Sequence, residues 1–156
     1  MGHGAKSSEP KISIATIDCR IRPFRMPDYA QVRALWENAG PGLSLRPSDE
    51  ESEIEKKLTR DPDIFLVAEV GEKIIGVVIG AWDGRRGWIH HLTVCPEFRG
   101  KGIAKALVRT IEERLKAKGC LKVNLLVHGS NTVARKLYQS LGYSEMHGII
   151  AMGKEL

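Results

Sequence analysis

The sequence predicts a layered α/β domain built on one mixed sheet, an antiparallel meander followed by parallel, splayed strands, flanked by four helices. Three observations lead there. Apolar runs of strand length at 64–70, 73–81 and 88–95 are separated only by turn residues, the pattern of a meander. A long helix-period segment at 102–118 then precedes another apolar run at 121–127, and a strand–helix–strand crossover makes its two strands parallel. Finally, 156 residues with no internal repeat and no dividing linker is about one domain, enough for one well-developed core.

Taken in order, residues 1–18 read as a peripheral or flexible extension, with a short alternating pair (Ile12, Ile14) of no assigned role; the domain is expected to span 19–156. Cys19-Arg20-Ile21-Arg22 reads as a short strand closed by Pro23. Pro27 opens a helix in which Tyr29, Val32, Trp36 and Ala39 recur at helical spacing, and Gly40 ends it. After the loop Gly40–Pro47, Ser48 and Glu51 have the spacing of a capping box ahead of Ile54 and Leu58. Asp61-Pro62 stops that second helix. The strands of the meander turn through Gly71-Glu72 and through Asp83–Gly87. The third helix shows Ile103, Leu107, Ile111 and Leu115 along one face, with Gly119 beyond its end. Ser130 is placed to cap a fourth helix, which Gly142 ends, and a last pair of short strands is expected within 143–154.

Composition narrows the function classes. Hydrophobic content of 42% and charged content of 28% are those of an ordinary globular protein. No apolar run approaches the roughly 20 residues that cross a bilayer, and the N-terminus lacks a signal-peptide pattern, so a cytoplasmic location is expected. Met1-Gly2 opens like a myristoylation site, but Lys6 stands where Ser or Thr is wanted. Cys19, Cys95 and Cys120 have no C-x-x-C spacing and read as reduced thiols, not as a disulfide frame or a metal site. A net charge of +5 suits an anionic ligand, and equally a merely basic surface.

The informative stretch is 94–104, where a strand leaves through Pro96 into a glycine-rich helix start. Backbone N–H groups in the first turn of a helix are unpaired and sit at the positive end of its dipole. Glycines let that backbone approach a phosphate closely, and Arg99 and Lys101 add charge to the same concavity. The Walker pattern is absent, and the dinucleotide pattern fails because Lys105 occupies its third glycine position.

What remains is [QR]-x-x-G-x-[GA], met by Arg99, Gly102 and Ala104. It is preceded by L-x-V-x-P (Leu92, Val94, Pro96) and followed by N-x-x-A-x-x-x-Y-x-x-x-G-Y (Asn131, Ala134, Tyr138, Gly142, Tyr143). In these three elements, in this order, the chain resembles the GNAT superfamily of N-acetyltransferases over about 21–154. Leu35-Trp36-Glu37, Phe65–Val70 and Asp83–Gly87 further resemble an uncharacterised bacterial branch of it. The resemblance implies acetyl-CoA as the acyl donor. It places the diphosphate against Arg99, Gly100, Lys101, Gly102, Ile103 and Ala104, and the pantetheine arm beside Leu92, Thr93 and Val94, with Asn131 touching the arm. That arrangement needs the strands at 88–94 and 121–127 to splay, and the parity shift from Ile89 to Leu92 and Val94 is compatible with a bulge.

Acetyl transfer to an amine needs an uncharged amine, a polarised thioester, a stabilised oxyanion and a proton for the departing thiolate. The resemblance puts Tyr138 beside the coenzyme sulfur as the acid; without it, the spacing reads equally as a core tyrosine. Some family members carry a carboxylate base at the register of Leu126, which here is leucine. His90 falls at a position where others use histidine, so it is the candidate base, with a structural histidine as the alternative and His128 as a weaker candidate. On a regular strand His90 and His91 face opposite sides, so they do not chelate one metal together. Gly40–Pro47 and Asp83–Gly87 would border the acceptor, with Arg46, Arg85 and Arg86 either greeting an acidic group or simply solvated.

The function expected from all this is transfer of an acetyl group from acetyl-CoA to a primary amine of a small molecule or a protein. A non-catalytic acyl-CoA sensor is the alternative. With aromatic residues at only 6% and mostly at core spacing, a nucleic-acid module is disfavoured. No membrane partner is expected, and association into a homodimer is compatible with the sequence.

Overall fold

The computed structural model describes residues 9–14 and 17–156. Its sheet has six strands in sequence order: β1 (Lys11–Ile14), β2 (Ile17–Pro23), β3 (Phe65–Val70), β4 (Lys73–Trp82), β5 (Gly87–Val94) and β6 (Val123–Leu125). The first four junctions are antiparallel and β5–β6 is parallel, the mixed sheet that the run of strands and the long crossover helix predict. The helices are α1 (Tyr29–Glu37), α2 (Glu51–Arg60), α3 (Ile103–Ala117) and α4 (Thr132–Ser140).

Strand alternation distributes the apolar residues to two cores. From β3 and the residue before it, Ile64, Leu66 and Ala68 point to the α3 side, where they meet Leu107, Ile111 and Leu115. Phe65 and Val67 point the other way, to Val32, Trp36 and Ile54 of α1 and α2. β4 keeps both faces filled by bulging: Ala68 pairs with Gly76 and Glu69 with Ile74, so Ile75 is the extra residue. Between α3 and the sheet the approach is close. A Cβ on Gly80 would lie 2.7 Å from the Ile64 carbonyl oxygen and 3.0 Å from Ile111 Cδ1.

Several local expectations change. Lys11–Ile14, within the expected peripheral extension, pairs with β2 as an edge strand. The turn before α2 is not capped by Ser48 and Glu51. Instead the Asp49 carboxylate accepts the Arg46 N–H at 2.8 Å across a 3-10 turn at Pro47–Asp49, and Glu50 precedes α2 without a side-chain cap. Asp28 closes the turn at Met26–Asp28 in the same way, accepting the Arg25 N–H at 2.8 Å while also bonding the buried Arg22 guanidinium. A short aspartate reaches back to the N–H three residues earlier more readily than a pair of side chains reaches across a turn. The N-cap of α4 is Asn131 rather than Ser130, its Oδ1 accepting the Ala134 N–H at 3.1 Å. The expected strand at 121–127 shrinks to Val123–Leu125, and no strand forms within 143–156.

Because Gly80 has no room for a methyl group, Gly80→Ala is expected to destabilise the fold by about 1–3 kcal/mol through overpacking. Urea unfolding followed by circular dichroism measures it as a lower midpoint at unchanged slope.

Candidate active site

Two strands that run side by side and then part build the site. β5 and β6 pair at Gly87–Val123, Trp88–Asn124 and Ile89–Leu125, and pairing ends there. The residues of β5 past that point, His90 to Val94, have no neighbour on the β6 side. On its β4 side, β5 pairs His90 with Ile79 and Thr93 with Val77, so His91 and Leu92 together face the single residue Val78. This is a bulge, and His91 carries it with φ at 52°, the one positive φ outside glycine among the described residues.

The bulge turns both histidines to the α1–α2 face of the sheet, against the expectation for a regular strand. His91 packs edge-on against the buried Trp36 at 5.2 Å between ring centroids, and its Nε2 bonds the Asp49 carboxylate at 2.8 Å. His90 stacks parallel to Trp88 at 6.3 Å. It keeps access to solvent, but the protein mass around it, then the neighbouring His91 and Lys57, hold its imidazole below the usual histidine range. A neutral His90 is therefore available at neutral pH. Leu92 and Val94 return to the α3 side, which restores the alternation, while the buried Thr93 donates its hydroxyl to the His91 carbonyl at 3.2 Å.

At the end of β5 the chain turns through Pro96–Phe98 and enters α3. Gly100 and Gly102 have φ of 74° and 85°, a region an L-side chain enters only with strain, and a Cβ on either would face open space. Gly102 is the N-cap of α3 and offers no capping side chain, so the first-turn amides have no capping partner from it. Arg99 does not reach forward. Its Nε donates to the Val94 carbonyl at 3.1 Å and ties the loop back to the strand. Lys101 is exposed at the same turn. Ile103 is buried in the α3 core, so of this residue only the backbone faces the turn.

Tyr138 comes from α4 and is 8% exposed, within the same core as Ile89, Val94 and Ile103. Burial alone pushes its phenol well above the ordinary tyrosine range, so it stays protonated and able to donate. Tyr143 stands edge-on to it at 5.5 Å. Asn131 spends its Oδ1 on capping α4. Its Nδ2 lies against Gly42, where a Cβ would come within 2.8 Å, so the 40–47 loop closes directly over the start of α4. In the other loop the Arg85 and Arg86 N–H groups are both held by Asp83 Oδ1 at 2.7 Å, which fixes the turn backbone. His128 lies away from this group, bonded to Ser130 at 2.7 Å on an exposed loop.

The structure thus brings His90, Leu92, Thr93 and Val94 to one strand end, with the glycine turn and α3 beyond it and Tyr138 beside it. Sequence reasoning missed Asp49, His91 and Trp36, the group that holds the bulge. The Arg46-Pro47-Ser48-Asp49 turn could have shown that Asp49 caps backward; nothing in the sequence shows that it also reaches His91 across 42 residues.

Comparison with known proteins follows the same lines. The sequence model described as Acetyltransferase (GNAT) family matches residues 29–143. An acetyltransferase of Sodalis glossinidius is 44% identical over 137 residues, 87% of this chain and 94% of that protein. Among solved structures, Ard1 from Thermoplasma volcanium superposes with a TM-score of 0.72 at 21% identity, covering 81% of this chain and 82% of its own. The PaiA N-acetyltransferase of Thermoplasma acidophilum in complex with coenzyme A gives 0.70 at 21%, covering 79% and 87%. Those two show the shared fold. With the family model spanning most of the chain, this protein belongs to the GNAT acetyltransferase family.

Proposed function

We propose that the chain transfers an acetyl group from acetyl-CoA to a primary amine of a small molecule or a protein. The observation that carries this reading is the parting of β5 from β6 beyond Ile89 and Leu125, with an uncapped helix start at one end and Tyr138 beside it. The coenzyme A bound to the PaiA neighbour supports the choice of donor. The diphosphate would rest on the backbone from Arg99 to Ala104, with Lys101 supplying charge and Arg99 holding the loop in shape. The pantetheine arm would lie along Leu92, Thr93 and Val94 in place of the missing strand neighbour, near Asn131.

The chemistry then follows from the residues present. His90, held neutral, accepts a proton from the ammonium directly or through water, leaving the amine lone pair free. The lone pair attacks the thioester carbonyl carbon, and a backbone N–H of the bulged segment stabilises the oxyanion. The C–S bond breaks as the Tyr138 phenol gives its proton to the departing sulfur; the attacking nitrogen loses its second proton as the amide forms, which restores the phenol, and His90 returns its proton to solvent. The raised pKa keeps the phenol protonated and able to hydrogen-bond the sulfur until the C–S bond breaks. Arg46, Arg85 and Arg86 favour an acceptor with an acidic group near the amine. A cytoplasmic setting, where acetyl-CoA is available, fits three cysteines that are all free and buried.

Acetyl-CoA at a hundred times its Kd should add about 2.7 kcal/mol of stability and raise Tm, while NAD and ATP leave it unchanged. Thiol release from acetyl-CoA across a panel of amines tests turnover itself; binding without release with any amine would mark a sensor. With a confirmed acceptor, Tyr138→Phe is expected to lower kcat by about 10²-fold or more, and a parental rate would remove the acid role. Because the folded environment lowers the His90 pKa, the acid limb of kcat/KM should have its midpoint below about 6.5, the ordinary histidine value. Protonation on the acid side of that midpoint removes the base. His90→Ala should abolish this limb, and an unchanged profile would show that another group accepts the proton.

A further inference from the structure

Of the two histidines that the bulge turns to one face, only His91 is held by a hydrogen bond among the described residues. Its Nε2 lies 2.8 Å from Asp49 Oδ1. Asp49 is 6% exposed and is fixed in its turn. Its Oδ2 accepts the Arg46 N–H at 2.8 Å, and its carbonyl accepts the Tyr29 hydroxyl at 2.9 Å. A carboxylate offers acceptors only, so the proton of the neutral imidazole sits on Nε2 and the lone pair on Nδ1. Trp36 lies edge-on against the ring and covers one side of it. Among the described residues Nδ1 has no partner, and the side chain is 25% exposed.

Holding the ring there is costly, because φ of 52° is a region that glycine and asparagine enter more cheaply. The bulge by itself needs no imidazole, and a ring that served only to pack would need no open nitrogen. What the pair leaves free is one hydrogen-bond acceptor of settled protonation. It stands next to His90, on the stretch of β5 that has no neighbour on the β6 side.

We propose that Asp49 and His91 select primary over secondary amines: Asp49 positions the ring, and His91 Nδ1 accepts an N–H that the acceptor keeps throughout the transfer. The inference rests on the function proposed above. Once His90 has taken a proton from the ammonium, a neutral primary amine carries two N–H bonds and one lone pair. One N–H donates to His91 Nδ1, which turns the lone pair toward the thioester carbon. The other loses its proton as the amide forms, and the product retains the first as its amide N–H. No bond to hydrogen breaks at His91. A neutral secondary amine has a single N–H, and that is the one it must give up. It completes the reaction without the contact, and one hydrogen bond missing from the transition state lowers kcat/KM by about 10-fold.

Long-range ¹H–¹⁵N spectra of the histidine rings should show His91, when neutral, with its proton on Nε2. Asp49→Asn keeps one acceptor oxygen and puts a donor in place of the other. The Arg46 N–H holds the oxygen, so the amide nitrogen faces Nε2 and drives the ring proton to Nδ1. The bulge stays tied, but the acceptor the amine needs is gone. With the fastest primary amine of the thiol-release panel and its N-methyl derivative, the parental preference for the primary amine should fall by about 10-fold in this variant. The Kd for acetyl-CoA should not change. His91→Asn, which suits the left-handed backbone and removes the ring, should lose the same preference and serves if Asp49→Asn fails to fold. A parental His91 with its proton on Nδ1, or the full preference surviving in both variants, overturns the inference and leaves acetyl transfer standing. Turnover with no amine at all overturns the function proposed above and this inference with it.

Discussion

The parallel pairing of β5 with β6 stops after three residue pairs, and the bulge at His91 is what bends β5 away. An L-residue in the left-handed region costs about 1–2 kcal/mol, so the conformation has to be held by its surroundings. His91 bonds the buried Asp49 and lies against Trp36, and Asp49 is itself fixed by the Arg46 N–H. The helical layer on one face of the sheet thereby sets the shape of a strand whose open side faces the other layer. Two features follow from that one deflection: a strand end without a neighbour on the β6 side, and two adjacent histidines turned to the same face of the sheet.

The electrostatics of the site agree with its geometry. The protein around His90 lowers its pKa and near-complete burial raises that of Tyr138, which agrees with the roles of proton acceptor and proton donor proposed for them. The carboxylates near this region are committed elsewhere. Asp49 holds His91, Asp28 and Glu69 flank the buried Arg22, and Asp83 pins the β4–β5 turn. The register where a carboxylate base could have stood holds Leu126, exposed beside the open edge of β6.

Much of this was legible in the sequence because it depends on short-range rules. Turn glycines bounded the meander, helical periodicity marked α3, and the parity shift from Ile89 to Leu92 and Val94 was compatible with the bulge. The glycine turn and its helix were recognisable because backbone conformation dictates those residue types. The rest depends on pairs distant in sequence. No local pattern says that Asp49 will meet His91, or that Asn131 will cap α4 with one end of its amide and face Gly42 with the other. The C-terminal segment failed for a different reason. A pair of strands was expected there, but a strand forms only where it pairs with an edge, and pairing is a property of the fold and not of the segment.

The central claim is that first-turn amides of α3 and the parted end of β5 hold an acyl-coenzyme. Titrating ¹⁵N-labelled protein with acetyl-CoA and following backbone amide resonances tests it residue by residue. The largest shifts should fall on Gly100, Lys101, Gly102, Ile103 and Ala104, continuing along Leu92 to Val94. Shifts confined to other surfaces, with these amides unmoved at saturating ligand, would contradict the account.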